Sequence, residues 1–457
     1  MRPSRVHCVI LVTAIVSSTA CADNATETGP PAADASSPVN WAKPIEVAAG
    51  DAHRGPWRMN ESQFHYVDDP TVAIDGEGRM AIAWADQREQ DIYFQLYSPD
   101  GEPLLAEPAN VSRSGDVFSW LPRMALDPDE PEHVYILWQE ILFTGGTHGG
   151  EILFARSTDG GATFSEPINL SNTPAGAGKG RLTRRSWHNG SLDLAIGGDG
   201  TLHATWTEYE GSLHVSRSTD GGRSFSEPVH VAGGDAEPAR GPSLAVEDQD
   251  TVHLAWTVGE DAAADIRFAS SRDGGRTFDE PQPVGAGPGH ADAPKLAVAN
   301  DGTIHLVCSE SPRGPLQGYR IQYTRRVPGA DAFEPPREIA APDGDIASVG
   351  FPHLALAGDD RVYLAWKQFP DARGRPRGLG FTMSSDGGDT FAAASIVPGT
   401  DDEALGFSGS QQGLLMSKLA VNDAGAIAVV NSTFRQGRSS HVWLIRGRVE
   451  AVPAGEP

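Results

Sequence analysis

Four carboxylates stand at one recurring position in this chain: Asp86, Glu140 and Glu208 each follow a tryptophan by two residues, and Glu310 follows Cys308 by two. Val258, Gln368 and Thr433 occupy the equivalent places elsewhere. Paired carboxylates gathered at one rim provide the acid and base that glycoside hydrolysis needs. In a chain with 61 Asp and Glu, solvated loop ends account equally well for any one of them. A second recurring position, the x of Pro-x-Leu-Ala-Val, reads Thr71, Arg123, Asp193, Ser243, Lys295, His353 and Lys418. The chain holds only five lysines, and two of them fall here; Lys367, beside Trp366, should share their rim. Cations collected at the mouth of an acidic protein suit an anionic ligand such as a carboxylate or sulfate. The alternative is a wet channel in which these residues pair with neighbouring acids. A third group lies in RLTRRSWHNG (181–190), where Arg184, Arg185, Trp187, His188 and Asn189 combine an aromatic with polar and basic groups. That mixture suits sugar stacking, with His188 as a proton carrier; a surface loop with a satisfied histidine reads the same way.

These positions recur because the elements that hold them recur. Each unit runs Pro-x-Leu-Ala-Val, a turn, Val-His-Leu-Ala-Trp, a loop, Ile-x-Phe-Ala, a twelve-residue turn, then Glu-Pro-x-x-Val. The first strand appears as PTVAI (70–74), PRMAL (122–126), LDLAI (192–196), PSLAV (242–246), PKLAV (294–298), PHLAL (352–356) and SKLAV (417–421). A repeat of about 50 residues with four short strands predicts an all-β fold, a β-propeller of four-stranded blades stacked around an axis. Seven blades are expected, six being the alternative. The seventh unit ends after its third strand, HVWLIRGRV (441–449), and WAKPIEVAA (41–49) supplies the missing fourth, so N-terminal and C-terminal strands should pair and close the ring. His203, His253 and His305, with Tyr135 and Tyr363, recur three residues before the Trp or Cys; one per blade is a packing feature, not a metal site.

The twelve-residue turn is RSTDGGATFSEP (156–167), RSTDGGRSFSEP (217–228), SSRDGGRTFDEP (270–281) and MSSDGGDTFAAA (383–394). Its Asp accepts from turn amides, its Gly pair permits positive φ, and its Phe packs back on the blade. These turns, with Asp159, Asp220, Asp273 and Asp386, resemble the Asp boxes (BNR repeats) of the sialidase superfamily across nearly all of 41–449. The resemblance implies that the boxes build blades on the face opposite the active site. Sialidases hold the substrate carboxylate with three arginines, protonate with an Asp and attack with a Tyr. Here the first arginine's triplet is Asp68-Asp69-Pro70, so that arginine is missing. WADQREQDIYF (84–94) resembles the segment carrying the acid/base Asp, which points to Asp91 or Asp86 with Arg88 beside it. Tyr209, between Glu208 and Glu210, and Tyr319 are the tyrosines to weigh as nucleophile.

Three functions follow from these residues. One is a glycoside hydrolase of sialidase type with a degenerate site, holding an anionic glycan through Lys295, Lys418 and Arg123. Another is a non-catalytic surface lipoprotein that binds glycan or protein. The third is a polysaccharide lyase, since some lyases share such propellers, with His188 or Tyr209 taking the proton. Carboxylates about 5–10 Å apart across the mouth favour hydrolysis; a His–Tyr–Arg cluster favours elimination.

Composition sets the outer bounds. The chain has 457 residues and a formal charge of −25, which disfavours nucleic acid and anionic membrane surfaces as partners. Residues 1–21 read as an export signal: Arg2 and Arg5 precede the apolar VHCVILVTAIV (6–16), too short to span a bilayer. The run ends in Ser18-Thr19-Ala20-Cys21 and resembles the lipobox of bacterial lipoproteins, with Ser18 where that family prefers Leu. A plain small-residue cleavage site is the alternative. Export to the cell envelope is expected, either lipid-anchored at Cys21 or secreted, with 22–40 a disordered linker, 41–449 the propeller and 450–457 a tail. Only Cys308 then remains in the body, so no internal disulfide is available. A monomer without metal or cofactor is expected, and Asp401-Asp402-Glu403 is a weak calcium candidate at best.

Overall fold

A computed structural model describes residues 39–142, 150–183, 186–285, 287, 289–315, 317–358, 360–372, 374–409 and 415–449. The sheets are seven blades around one axis. Blade 1 pairs Val67–Ile74, Met80–Asp86, Asp91–Tyr97 and Ala109–Asn110; blade 2 pairs Ser119–Leu126, Val134–Glu140, Glu151–Ser157 and Ile168–Asn169. Blade 3 is built from Leu192–Ile196, Leu202–Thr207, Ser212–Ser218 and Val229–Gly233, and blade 4 from Ala239–Val246, Val252–Val258, Asp265–Ser271 and Gln282–Pro283. Blade 5 comprises His290–Val298, Ile304–Ser311, Arg320–Arg326 and Arg337–Ala340; blade 6 comprises Ser348–Ala357, Arg361–Phe369, Leu379–Ser384 and Ser395–Ile396.

Blade 7 closes the ring as the sequence predicts. Leu419–Val421, Ala426–Arg435 and Ser439–Val449 form its inner part, and the chain's first strands, Val39–Trp41 and Ile45–Gly50, both pair with Ser439–Val449. Inside each blade the second strand is apolar on both sides, as in MAIAWAD (80–86), because each sheet is covered on both faces by its neighbours. Outer strands of two residues at Ala109–Asn110, Ile168–Asn169, Gln282–Pro283 and Ser395–Ile396 leave little free edge.

The four repeated turns share one geometry. In the first, Ser157 Oγ accepts from the Gly161 amide at 2.9 Å and donates to Asp159 Oδ1 at 2.7 Å. Asp159 Oδ1 also accepts from the Thr163 amide, and Oδ2 from the Thr163 hydroxyl at 2.6 Å. Ser384, Gly388, Asp386 and Thr390 repeat the pattern in blade 6. Gly161 has φ +86°, and a side chain there would collide with the Phe94 ring of the preceding blade. The turn thus tightens a hairpin and seats it on its neighbour.

A second repeated device shapes the axis. The pairing of first and second strands shifts register at Asp68/Thr71, Arg240/Ser243, Asp292/Lys295 and Gly350/His353, and between Leu137 and Gln139 in blade 2. At each bulge one residue has positive φ: Asp69, Leu121, Gly241, Ala293 and Phe351. A β-bulge bends its strand and re-aims the side chains beyond it.

Candidate functional site

The seven residues of the second sequence set form one layer facing the axis, but they lie within it and not at its mouth. In blades 1, 2, 4, 5 and 6 the inner strand begins several residues before its Pro-x-Leu-Ala-Val core, so the layer sits mid-strand there, His353 being the sixth residue of Ser348–Ala357. In blade 3 Asp193 is the second residue of its strand, and in blade 7 Lys418 directly precedes Leu419–Val421. Thr71, Arg123, Asp193, Ser243, Lys295, His353 and Lys418 are all buried. Arg123 pairs with Asp193 at 3.4 Å and donates to the carbonyls of Leu192 and Gly190. Lys295 donates to the Leu415 carbonyl at 3.0 Å, and Lys418 to that of Pro70 at 2.8 Å. Lys367 reaches Asn431 Oδ1 at 3.0 Å. Burial pushes Lys295 and Lys418 down to about 8, because desolvation penalises the ammonium. This layer grips the propeller together and is out of a polymer's reach.

The carboxylates of the first set are likewise engaged. Asp86 Oδ1 accepts from the amides of Arg88 and Glu89, capping the turn, and desolvation raises its pKa. Exposed Arg88 lies 3.9 Å from Glu89. Asp91 accepts from Asn110, Ser112 and Ser114, the last through both amide and hydroxyl. Glu140 accepts from Trp138 Nε1 at 3.0 Å and Ser119 Oγ at 3.3 Å, and desolvation raises its pKa. Ser119 Oγ also lies 3.0 Å from Ser114 Oγ. Asp91 and Glu140 are therefore linked through Ser114 and Ser119, and both are buried. Glu208 approaches His214 at 3.4 Å, its pKa raised by burial and then by Glu151. The Tyr209 amide donates to the Gly176 carbonyl.

The third set lies at a two-stranded ribbon, Lys179–Thr183 with Ser186–Asn189, in which the His188 backbone faces Gly180. Arg184 lies outside the described residues, and so do the His188 side chain and Cys21. On the ribbon itself, Arg181 bridges Glu260 at 2.7 Å and also meets Asp235 and Glu210.

A cluster that motif reading did not assemble spans blades 4 and 5. Arg240 donates to Asp292 Oδ1 at 2.6 Å and lies 3.4 Å from His290 Nε2. Tyr319 Oη donates to Asp292 Oδ2 at 3.4 Å, its ring 6.1 Å from that of His290. Histidine, tyrosine and arginine thus meet, all of them buried.

Accessible chemistry lies instead on a run of aromatics at the face of the blade-to-blade connections. Trp57, in the segment joining the closing strand to blade 1, is 42% exposed and stacks on Trp120 at 5.6 Å with 7° between planes. Trp57 also stacks on Phe64, which leads through Tyr66 to Phe434. Arg375 covers Phe434 at 5.1 Å and Phe407 at 5.7 Å, and Phe407 is 45% exposed. Arg54 covers Phe64 at 5.7 Å, and Arg54 and Arg58 are exposed. Desolvation, then neighbouring Arg54, lowers the Arg375 pKa, so two guanidiniums share this shelf. Residues 50–66 fall outside the repeat; their one signal in sequence is Pro56-Trp57-Arg58, an aromatic beside a cation in a connection.

No family model matches the chain, and no curated protein matches it. Solved structures do. An ulvan lyase, described as a new polysaccharide lyase family, PL25, and bound to -[GlcA(1-4)Rha3S]-, superposes with a TM-score of 0.53 at 13% identity, covering 88% of this chain and 96% of its own. The polysaccharide lyase Uly1 gives 0.50 at 11% identity over 89% and 99%. A Hadza microbial sialidase, Hz136, gives 0.45 at 15% identity over 67% and 64%. The likeness to the two lyases establishes a shared propeller fold.

Proposed function

We propose that this protein is an exported propeller that binds an acidic polysaccharide on the face carrying Trp57. The observation that carries this reading is the shelf itself: exposed Trp57 and Phe407 lie along one aromatic run flanked by Arg54 and Arg375. Sugar rings stack their apolar faces on indole and phenyl rings, and guanidiniums take uronate or sulfate groups in bidentate fashion. On a chain of charge −25, such a basic aromatic strip selects an anionic partner against its own background field. The fold supports the same class, since a lyase that shares it holds a glucuronate and sulfated-rhamnose chain. The four serine–aspartate turns support the Asp-box resemblance, and Ser18-Thr19-Ala20-Cys21 supports anchoring of the exported chain through Cys21. A binding measurement tests the reading: acidic glycans should bind, neutral ones should bind weakly, and Arg375→Ala should lose the distinction. Equal affinity for both classes in wild type would refute it.

A second reading, β-elimination, rests on Arg240, His290, Tyr319 and Asp292, which gather the side-chain types that elimination at a uronate uses. Their burial sets them back from a bound polymer, so binding stands first. Hydrolysis by Asp91 and Glu140 is opposed by their burial and by the hydrogen bonds that both carboxylates already accept. Appearance of an unsaturated uronate product, lost in His290→Ala, would establish the elimination reading.

A further inference from the structure

The axial layer carries an imbalance of charge that its own residues do not resolve. Arg123, Lys295, Lys418 and Lys367 are buried there, and so are Asp193 and Asp68. Asp69 is also buried, its two carboxylate oxygens without a partner among the described residues; desolvation, then Asp68, raises its pKa well above the ordinary carboxylate value and so favours the neutral acid. Burial, then neighbouring Lys418, pushes Lys367 well below the ordinary lysine value, toward its neutral amine, which leaves Arg123, Lys295 and Lys418 as three buried cations against two anions among the described residues. The hydrogen bonds of the three lysine side chains to Leu415, Pro70, Ser408 and Asn431 all end on neutral oxygens. Buried charge of one sign either neutralises by shifting its pKa, as Lys367 does, or keeps a counter-charge at hand.

The same layer contains unused donors. His353 is 2% exposed, and neither ring nitrogen has a partner among the described residues. Lys295, Lys418, Lys367 and Arg123 all act on it and, after desolvation, keep it neutral, so the ring retains one N–H to give. The Thr71 hydroxyl, fully buried, also has no partner among the described residues. By register Lys295, His353 and Lys418 come from consecutive blades, at one height on the axis. A water molecule there would satisfy the imidazole but leave the excess positive charge.

We propose that the propeller axis holds a buried small monovalent anion, of the size and chemistry of chloride, beside His353 and between Lys295 and Lys418. The ion accepts the His353 N–H and ammonium protons that carbonyl oxygens leave free, and it neutralises part of the layer that joins the blades at their centre. The site is separate from the aromatic shelf and does not depend on the glycan reading.

Bromide is the probe. Crystals of the full chain soaked in sodium bromide should show an anomalous peak on the axis beside His353. In solution, thermal unfolding titrated with sodium chloride should show a saturable rise in melting temperature over sodium gluconate at matched ionic strength. His353→Leu and Lys295→Met should lose that difference. Should either variant fail to fold, the wild-type crystal and the salt comparison still decide the matter. An axis holding only water in bromide-soaked crystals, or melting that follows ionic strength alike in both salts, overturns the proposal.

Discussion

His203 makes the fold sensitive to mild acid, and the size of the effect follows from its surroundings. It is 0% exposed, and neither ring nitrogen has a hydrogen-bond partner among the described residues. Desolvation pushes it down to about 4, whereas an unfolded histidine titrates near 6.5. Between those values the unfolded chain binds a proton that the folded chain refuses, so stability rises with pH and falls on acidification. Lowering the pH from 7 to 5 should cost about 2 kcal/mol through this one side chain. The perturbation is His203→Tyr. Tyr135 and Tyr363 occupy the same register, opposite Ala125 and Ala355 as His203 is opposite Ala195, so the blade accepts a tyrosine there. Urea unfolding at pH 7 and pH 5 gives the loss for each protein, and comparing losses cancels any difference at neutral pH. The variant should lose about 2 kcal/mol less than wild type. Equal losses would show that His203 is not held neutral, and the reasoning would fail.

Other consequences can be tested with single substitutions. Trp57→Ala should weaken acidic-glycan binding about tenfold, the effect of about 1.4 kcal/mol, while the melting temperature stays close to wild type because the ring is 42% exposed. Ser440 Oγ accepts from the Val67 amide at 2.9 Å across the closure between blades 7 and 1; Ser440→Ala leaves that buried amide unpaired and should cost about 1–3 kcal/mol in urea unfolding. Hydrogen bonds from Ser384 and Thr390 pull Asp386 down to about 2, so its contribution is present above the unfolded carboxylate value and lost as pH falls through 2. Melting temperatures taken between pH 5 and pH 2 should therefore converge for wild type and Asp386→Asn.

Seven blades were legible because each must bury both faces of its sheet, which forces the same apolar register into every unit. Leu-Ala-Val and the strand-two tryptophans mark that register even where the turn has decayed, as at Asp331-Ala332-Phe333. The closing strand was legible because 41–49 repeats a pattern the last unit lacks. Depth along the axis was not. Thr71 through Lys418 fall at the start of Pro-x-Leu-Ala-Val, yet the chain goes on pairing beyond the bulge, so Arg123 and Lys295 lie within a strand instead of at its tip. Nothing local announces that bulge, since Leu121, Ala293 and Phe351 hold positive φ without being glycine. Glu140 was found as a carboxylate at a rim and Asp91 through the resemblance of WADQREQDIYF, but their serine partners share no register: Ser112 and Ser114 lie in a loop and Ser119 opens the next blade's first strand. The shelf escaped notice because Trp57 belongs to no repeat, and its partners Trp120, Phe407 and Phe434 come from three separate blades or connections.

The most direct test of glycan binding is a crystal structure of the protein with an acidic tetrasaccharide. Sugar rings should stack over Trp57, with uronate or sulfate groups turned toward Arg54 or Arg375. A tetrasaccharide bound at another face, with the Trp57 indole bare, would contradict the account.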